Sequence, residues 1–253
     1  MVYIVGAGAG DVELITVKGQ RLLREADVVI YAGSLVNPEL LKNCKVDAEI
    51  YNSATMTLDE VIKVIEIANS QNKNIVRLHT GDPSIYVAIQ EQIDILQEKN
   101  IAVEIVPGVS SFLAAAASLK QEYTLPGVTQ TVIITRAAGK TPVPDRESLK
   151  NLAKHQTTLC IFLSISFIEN VVADLLEAGL TEDTPVAVVQ KASWQDEKIL
   201  RGNLKSIVAQ VQSEKIERQA LIIVGNCLNK NYEKSQLYSP QFSHMFRKGG
   251  SNE

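Results

Sequence analysis

Short runs of aliphatic and β-branched residues alternate along this chain with longer segments of helical periodicity, and this alternation constrains the fold more than any other feature. In the first half, the runs that predict strands are residues 2–5, 27–31, 48–51, 74–79 and 102–106. Thr57, with Glu60 three positions later, predicts a capping box and the start of a helix. A further helix is expected over residues 84–98, whose apolar stripe is Ile85, Ile89, Ile93 and Leu96. Because strands that alternate with helices usually pair in parallel, a parallel α/β sheet is predicted for roughly the first 118 residues.

The second half repeats the alternation with shorter helices. The runs that predict strands are residues 131–135, 159–163, 185–189, 198–201 and 220–224, and helices are expected over 168–178 and 204–211. The pattern favours an α/β arrangement with more antiparallel character. The predicted fold class is therefore α/β with two tandem domains, residues 1–119 and 126–230, followed by a polar tail over 231–253.

Composition and charge narrow the class of protein. The chain has 253 residues, of which 45% are hydrophobic, and its formal net charge of −4 does not favour a nucleic-acid-binding protein. No apolar run approaches the roughly 20 residues of a membrane-spanning helix, and we see no signal peptide. Cys44, Cys160 and Cys227 are widely spaced and odd in number, so neither a zinc site nor a disulfide framework is supported. A cytoplasmic location is expected.

A glycine-rich loop follows the first predicted strand. Gly6 and Gly8 fit the first two positions of a dinucleotide-binding G-x-G-x-x-G motif, but Asp11 stands at the third. The next helix is expected only from Thr16, so a pyrophosphate would find no helix N-terminus there. These departures disfavour a nicotinamide-dependent oxidoreductase. A loop that merely turns the chain remains an alternative at this point.

Four more segments follow predicted strands and give this loop its context. They are residues 80–86 (TGDPSIY), 107–111 (PGVSS), 135–144 and 189–195. In this order and spacing, the chain resembles the tetrapyrrole (corrin/porphyrin) methylase family over about residues 1–230. Residues 31–36, 135–144, 191–198 and 242–249 are most similar to members that methylate carbon-11 of precorrin-4 or cobalt-precorrin-4. Two departures are Ala9, where the family usually has proline, and Val87, where it often has glycine.

The resemblance implies that S-adenosylmethionine, which is converted to S-adenosylhomocysteine, binds in a cleft between the two domains. Carried over by motif, its contacts are Ala9, Gly81, Asp82, Ile85, Ser110 and Ser111, with Leu163 and Ala192 added by the second domain. Glycine and small residues permit close approach to the cofactor, and the two serines open a helix where hydroxyls and free N–H groups can bind it. Simple helix capping is the alternative for the serines.

The chemistry implied is direct methyl transfer to a carbon of the macrocycle, which demands alignment more than a strong base. Asp82 and Tyr86 are the candidate catalytic residues, although Asp82 followed by proline also fits a turn that shapes the loop. His79 ends a strand and is more often structural in such a place. We find no convincing nucleophile–base set and expect no protein metal site; any cobalt would belong to the substrate.

The substrate implied by the resemblance carries many carboxylates, which arginine and lysine bind. Arg136 and Lys140 after a strand of the second half, then Lys191, are the candidate substrate-binding residues. His244, Arg247 and Lys248 in the tail could close over the site. For each of these, a solvated surface charge is the alternative.

Other readings stay open from sequence alone. The scaffold is shared by enzymes that methylate uroporphyrinogen or other precorrins, and a non-enzymatic nucleotide-binding module is a further alternative. Family members usually form large dimer interfaces, so a homodimer is expected. No residue decides whether the substrate carries cobalt.

Overall fold

The computed structural model describes residues 1–229 and 231–250, and it groups them into two compact units. The first unit comprises Met1–Leu119 and Val189–Lys198, and the second comprises Lys120–Val188 and the described residues after 198. Lys230 and the last three residues of the predicted tail lie outside the described part. Each unit contains one five-stranded sheet.

The sheet of the first unit is parallel, as predicted. Its strands are β1 (Val2–Gly6), β2 (Val28–Tyr31), β3 (Glu49–Asn52), β4 (Ile75–His79) and β5 (Val103–Val106), in the order β3-β2-β4-β1-β5. All four neighbouring pairs run parallel. The helices are α1 (Val17–Glu25), α2 (Leu58–Ser70), α3 (Gln90–Glu98) and α4 (Ser111–Leu119). The carboxyl ends of β4, β1 and β5 therefore stand side by side.

Two helix starts follow directly from side-chain capping. Thr16 accepts a hydrogen bond from the Gly19 N–H and begins α1, while Thr57 and Glu60 form the predicted capping box of α2. Apolar residues cover both faces of the sheet. One face packs on α2 and α3 through a cluster that includes Ile4, Ile30, Ile65 and Leu96, and the other packs on α1 through a cluster that includes Val5, Val29, Leu23 and Leu78.

The helix expected from residue 84 begins only at Gln90. Tyr86 and Ala88 adopt left-handed backbone conformations, with φ of 56° and 51°, which an α-helix cannot contain. Ser84 is instead bound by the Asp82 side chain in a local turn. The prediction was wrong here because the apolar residues have helical spacing, whereas the backbone between Ile85 and Ile89 is not helical.

The second unit has a mixed sheet. Its strands are β6 (Val132–Arg136), β7 (Thr158–Phe162), β8 (Pro185–Gln190), β9 (Lys198–Asn203) and β10 (Ala220–Val224), in the order β6-β7-β10-β8-β9. β6 and β7 are parallel, whereas β7 and β10 are antiparallel. The helices are α5 (Leu149–Ala153), α6 (Ile168–Glu177) and α7 (Ile207–Ser213). α7 starts three residues later than predicted, because Asn203 and Ser206 exchange hydrogen bonds in a turn.

Candidate functional site

Three loops leave the adjacent strands β1, β4 and β5 and meet through three glycines. A Cβ atom on Gly6 would lie 2.6 Å from the carbonyl oxygen of Gly81 and 2.7 Å from Cα of Gly108, distances that real Cβ atoms essentially never show. A Cβ on Gly108 would overlap the same Gly81 oxygen. Only glycine permits this approach of backbones, so the motifs at residues 6–11, 80–86 and 107–111 form one junction.

Backbone hydrogen bonds join the first two loops. The Gly81 N–H donates to the Gly8 carbonyl at 2.8 Å, the Gly8 N–H donates to the Gly81 carbonyl at 3.3 Å, and Ala7 N–H donates to the His79 carbonyl at 2.7 Å. Gly8 and Gly81 both have positive φ, of 80° and 59°, which fits glycine at these positions. The loops are thus held together by main-chain atoms, and their shape does not depend on long side chains.

Asp82 joins the second loop to the third. Its carboxylate accepts hydrogen bonds from the hydroxyl and N–H of Ser84 and, at 2.9 Å, from the N–H of Gly108. Burial alone would raise the pKa of this carboxyl, but the bonds from Ser84 and Gly108 outweigh it and hold the pKa below its usual value. Of the two roles that the sequence left open, base and loop-shaping turn, this geometry supports the turn.

Tyr86 and Ile85 lie on the strained segment that precedes α3. Tyr86 has a left-handed backbone and is 45% exposed, and Ile85 is half-buried. Strained conformations of this kind persist where surrounding contacts hold them, often at ligand sites. Here Gln92 donates to the Ala88 carbonyl and accepts from buried Arg77, whose guanidinium also donates to the Ile30 carbonyl.

Ser110 and Ser111 stand where the third loop becomes α4. The Ser110 carbonyl accepts the first helical hydrogen bonds, from Leu113 and Ala114, so Ser110 precedes the helix and Ser111 begins it. Ser110 is buried and Ser111 is half-buried. Both serines therefore follow the glycine junction within a few residues, as their motif predicts.

A turn from the second half of the chain packs on the glycine-rich loop. The structure groups Val189–Lys198 with the first unit, whereas the sequence analysis assigned Ala192 and Lys191 to the second domain. The indole N–H of Trp194 donates to the Ala9 carbonyl at 3.0 Å, and the Asp11 N–H donates to the Ser193 hydroxyl at 3.0 Å. Sequence reasoning gave Trp194 and Ser193 no individual role, although both lie in the motif at residues 189–195 and Trp194 is the single tryptophan of the sequence.

Ala192 and Lys191 belong to the same turn. Ala192 is buried, and Lys191 forms an ion pair with Asp196 while its ammonium lies 5.9 Å from the Trp194 ring centroid. The ion pair lowers the pKa of the Asp196 carboxyl. Lys191 therefore lies near the loops of the first unit, and its charge is paired with Asp196 of its own turn.

The remaining predicted residues lie in the second unit. Arg136 ends β6 and donates to the carbonyls of Thr141 and Pro142, at 3.1 and 2.7 Å, so its guanidinium holds its own loop. Lys140 on that loop is exposed. Leu163 follows β7 with φ of 53° and is 62% exposed, an unusual pairing of an apolar side chain with a left-handed backbone.

The C-terminal tail is organised around Arg247. Its guanidinium donates to the carbonyls of Leu237, Ser239 and Phe242, and its backbone pairs with that of His244. Its charge therefore orders the tail, whereas the neighbouring Lys248 is exposed.

His79 is buried at the end of β4, and its Nε2 has no hydrogen-bond partner among the residues that the structure describes. Burial and the nearby Arg77 lower the pKa of this imidazole to about 3, so it is neutral near pH 7. Among residues 1–229 and 231–250, no cluster of three or more potential metal ligands occurs, the three cysteines are unpaired, and no helix is long and apolar enough to cross a membrane.

The chain was compared with protein families, curated proteins and solved structures. The model of the tetrapyrrole (corrin/porphyrin) methylases matches residues 1–208. A relative from Methanocaldococcus jannaschii, named cobalt-precorrin-4 C(11)-methyltransferase, is 60% identical over 98% of this chain and 96% of its own.

Two solved structures of methyltransferases are similar to this chain in fold. A cobalt-precorrin-4 methyltransferase superposes with a TM-score of 0.89 and 47% identity, over 90% of this chain and 95% of its own. A uroporphyrin-III C-methyltransferase from Thermus thermophilus, in complex with S-adenosylhomocysteine, superposes with a TM-score of 0.74 and 29% identity, over 92% and 95% of the two chains. The chain belongs to the tetrapyrrole (corrin/porphyrin) methylase family.

Proposed function

We propose that this protein transfers a methyl group from S-adenosylmethionine to carbon-11 of cobalt-precorrin-4 in cobalamin biosynthesis. The observation that carries the proposal is the junction of Gly6, Gly81 and Gly108, fastened by Asp82, in a chain 60% identical to a relative of that name. Both that relative and the structure with a TM-score of 0.89 are named for the cobalt form, so we prefer it to metal-free precorrin-4.

The residues present fit the cofactor. No side chain projects from Gly6, Gly81 or Gly108 at the junction, so a ligand there can approach the backbone. Ser110 and Ser111 lie beside it at the start of α4, where hydroxyl and N–H groups can bind the cofactor. S-adenosylmethionine supplies a sulfonium whose methyl group is already activated for transfer. The proposed first-unit contacts are Ala9, Gly81, Asp82, Ile85, Ser110, Ser111 and Ala192, and Leu163 is the proposed contact from the second unit.

No residue is required to act as a strong base in this proposal. Asp82 already accepts three hydrogen bonds and stays ionised, and buried His79 stays neutral, so neither is set up to exchange a proton with the macrocycle. The chain's contribution is to orient both reactants and exclude water. Tyr86 remains a candidate for contact with the macrocycle because it is exposed on the strained segment beside the junction.

The substrate's carboxylates would be bound by Arg136, Lys140 and Lys191. A substrate carboxylate at Lys191 would compete with Asp196, whereas Lys140 is exposed. We further propose a cytoplasmic homodimer with domains at residues 1–119 and 126–230, except that Val189–Lys198 belongs with the first domain. Sedimentation analysis at micromolar concentration tests the dimer.

The deciding experiment supplies the purified protein with methyl-labelled S-adenosylmethionine and, in parallel, cobalt-precorrin-4, metal-free precorrin-4 or uroporphyrinogen. We expect label in the macrocycle of the cobalt form, placed at carbon-11 by NMR, with S-adenosylhomocysteine as the second product. If the protein preferred the metal-free compound, the identity of the substrate would change but the proposed methyl transfer would stand. Binding of S-adenosylhomocysteine by calorimetry, with NAD as control, tests the cofactor separately, and absence of binding by folded protein would overturn the proposal.

A further inference from the structure

Three consecutive residues of the glycine-rich loop are held from outside the loop. The Ala9 carbonyl accepts from the Trp194 indole at 3.0 Å, the Gly10 carbonyl accepts from the Asn37 side chain at 2.8 Å, and the Asp11 N–H donates to Ser193 at 3.0 Å. Two of these contacts come from one turn, residues 191–197, which we call the Trp194 turn.

The indole of Trp194 lies directly against Gly10. A Cβ atom built on Gly10 would overlap the ring at Cδ1 and Nε1, so glycine is required there for the tryptophan to pack. The loop and the Trp194 turn are about 185 positions apart in the chain, so this contact is tertiary and not a local turn preference.

The Trp194 turn is itself fixed on α4. Glu197 accepts from the Ser193 N–H at 2.7 Å and from the Ser118 hydroxyl at 2.6 Å. Backbone bonds from Trp194 to Lys191 and from Glu197 to Trp194 close the turn. Ser193 has a φ of 68°, a strained conformation that these bonds maintain. α4 begins at Ser111, so the element that presents the proposed cofactor serines also holds the turn that holds the loop.

We infer that Trp194, Ser193 and Glu197 are positioning residues that set the conformation of residues 9–11 and thereby the affinity for the cofactor. This inference rests on the proposed function for its cofactor, because Ala9 is a proposed cofactor contact. Its carbonyl is occupied by the indole N–H, which fixes the orientation of the peptide that follows. The Trp194 turn acts through the loop and need not touch the reacting atoms.

The variants separate the hydrogen bonds from the packing. Trp194→Phe keeps a ring against Gly10 but removes the N–H donor, Ser193→Ala removes the acceptor for Asp11, and Gly10→Ala displaces the ring. Ser213→Ala, an exposed serine at the end of α7, is the matched control. Because one hydrogen bond contributes roughly fivefold to an equilibrium, we expect Trp194→Phe and Ser193→Ala each to weaken S-adenosylhomocysteine binding about fivefold, and Gly10→Ala more.

One readout, made without ligand, keeps this test independent of the proposed function. Amide hydrogen exchange of residues 9–11, measured without ligand, is expected to be faster in Trp194→Phe and Ser193→Ala and unchanged in Ser213→Ala. With cofactor, the KM for S-adenosylmethionine should rise while the KM for the macrocycle and the melting temperature change little. Because Trp194 is the only tryptophan, its fluorescence in the wild type should change on saturation with S-adenosylhomocysteine.

The outcomes are distinct. Unchanged exchange in both variants would overturn the inference even if the enzyme is fully active. Faster exchange with unchanged affinity would also overturn it, because the turn would then order the loop without affecting the site. If the wild type binds no S-adenosylhomocysteine, the proposed function fails, and the positioning of a cofactor fails with it, whereas the exchange result still reports whether the turn holds the loop.

Discussion

The carboxylate of Asp82 accepts a hydrogen bond of 2.9 Å from the backbone N–H of Gly108, across a separation of 26 residues. Because Asp82 follows β4 and Gly108 follows β5, with β1 between these strands, the bond spans the strand that carries the glycine-rich loop. An aspartate that resembles a catalytic base is therefore one of the ties that hold the three loops together.

Replacement of Asp82 by alanine should lower the free energy of unfolding by about 2 kcal/mol at pH 7, since hydrogen bonds to a charged group are lost and the Gly108 N–H loses its partner. The folded state lowers the pKa of this carboxyl, so its contribution is present above the unfolded value and is lost as pH falls through the folded one. Urea unfolding of wild type and Asp82→Ala should converge as the pH falls below about 4.

Asp47→Ala, at an exposed carboxylate, serves as the control for that series and should leave stability nearly unchanged at pH 7. Asp82→Asn should retain part of the stability, because an amide oxygen can still accept from Gly108. If Asp82→Ala were as stable as wild type yet inactive, the aspartate would have a chemical role and not a structural one.

Gly6→Ala should disrupt the junction more than any exposed glycine substitution. Its new Cβ would meet backbone atoms of Gly81 and Gly108, which cannot move aside like the end of a side chain. We expect a loss of about 1–3 kcal/mol in unfolding free energy and no measurable binding of S-adenosylhomocysteine. Gly250→Ala, where nothing lies within 4 Å of the new Cβ, should match wild type in both calorimetry and unfolding. Wild-type binding by Gly6→Ala would count against a cofactor site at the junction.

The fold could be predicted well wherever local pattern and burial agree. The run at residues 220–224 is a strand with those same limits, and Thr16 and Thr57 cap the helices that their sequences indicate. The start of α3 could not be predicted, because Ile85 and Ile89 have helical spacing while Tyr86 and Ala88 have left-handed backbones. The Ala88 carbonyl accepts from Gln92, whose side chain is in turn held by Arg77 on β4, a contact that no periodicity reveals.

The candidate site divides in the same way. The order of motifs indicated which loops come together, because the carboxyl ends of parallel strands share one edge of a sheet. The packing of Trp194 on Gly10 and the use of Arg136 to hold its own loop were not predictable, since both depend on partners that no periodicity reveals. The presence of a charged side chain in a motif does not predict whether it binds a ligand or a nearby backbone carbonyl.

Ala88→Gly should stabilise the protein by about 0.5 kcal/mol, because glycine relieves the left-handed conformation at φ 51° and the gain exceeds its extra entropy in the unfolded chain. Ala117→Gly, at an exposed position within α4, should instead destabilise by about 1 kcal/mol. Opposite signs in urea unfolding would verify the strain at residue 88. A loss of stability in Ala88→Gly would show that the methyl group makes contacts that outweigh it.

His79 should make stability depend on pH between about 3 and 6.5. Its pKa is lowered to about 3 in the folded state, so over this range the unfolded chain binds a proton that the folded chain does not. Stability should therefore rise with pH, by on the order of 1–2 kcal/mol between pH 5 and 7. His79→Gln should flatten that slope, and His155→Gln, at an exposed histidine, is the matched control. The same slope in wild type and His79→Gln would show that other groups cause it.

Arg136 and Lys140 should differ in what their loss costs, although they share a loop. The Arg136 guanidinium holds the carbonyls of Thr141 and Pro142, so Arg136→Ala should lower the unfolding free energy by about 1 kcal/mol and also raise the KM for the macrocycle. Exposed Lys140 should affect the macrocycle KM alone, with about threefold weakening in Lys140→Ala that fades at high salt, as expected for an exposed charge pair. Neither variant should alter the dissociation constant of S-adenosylhomocysteine, and Lys154→Ala on another exposed surface should change none of the three quantities. If Arg136→Ala weakened the binding of macrocycle and S-adenosylhomocysteine equally, Arg136 would act through the fold of its unit and not through the substrate's carboxylates.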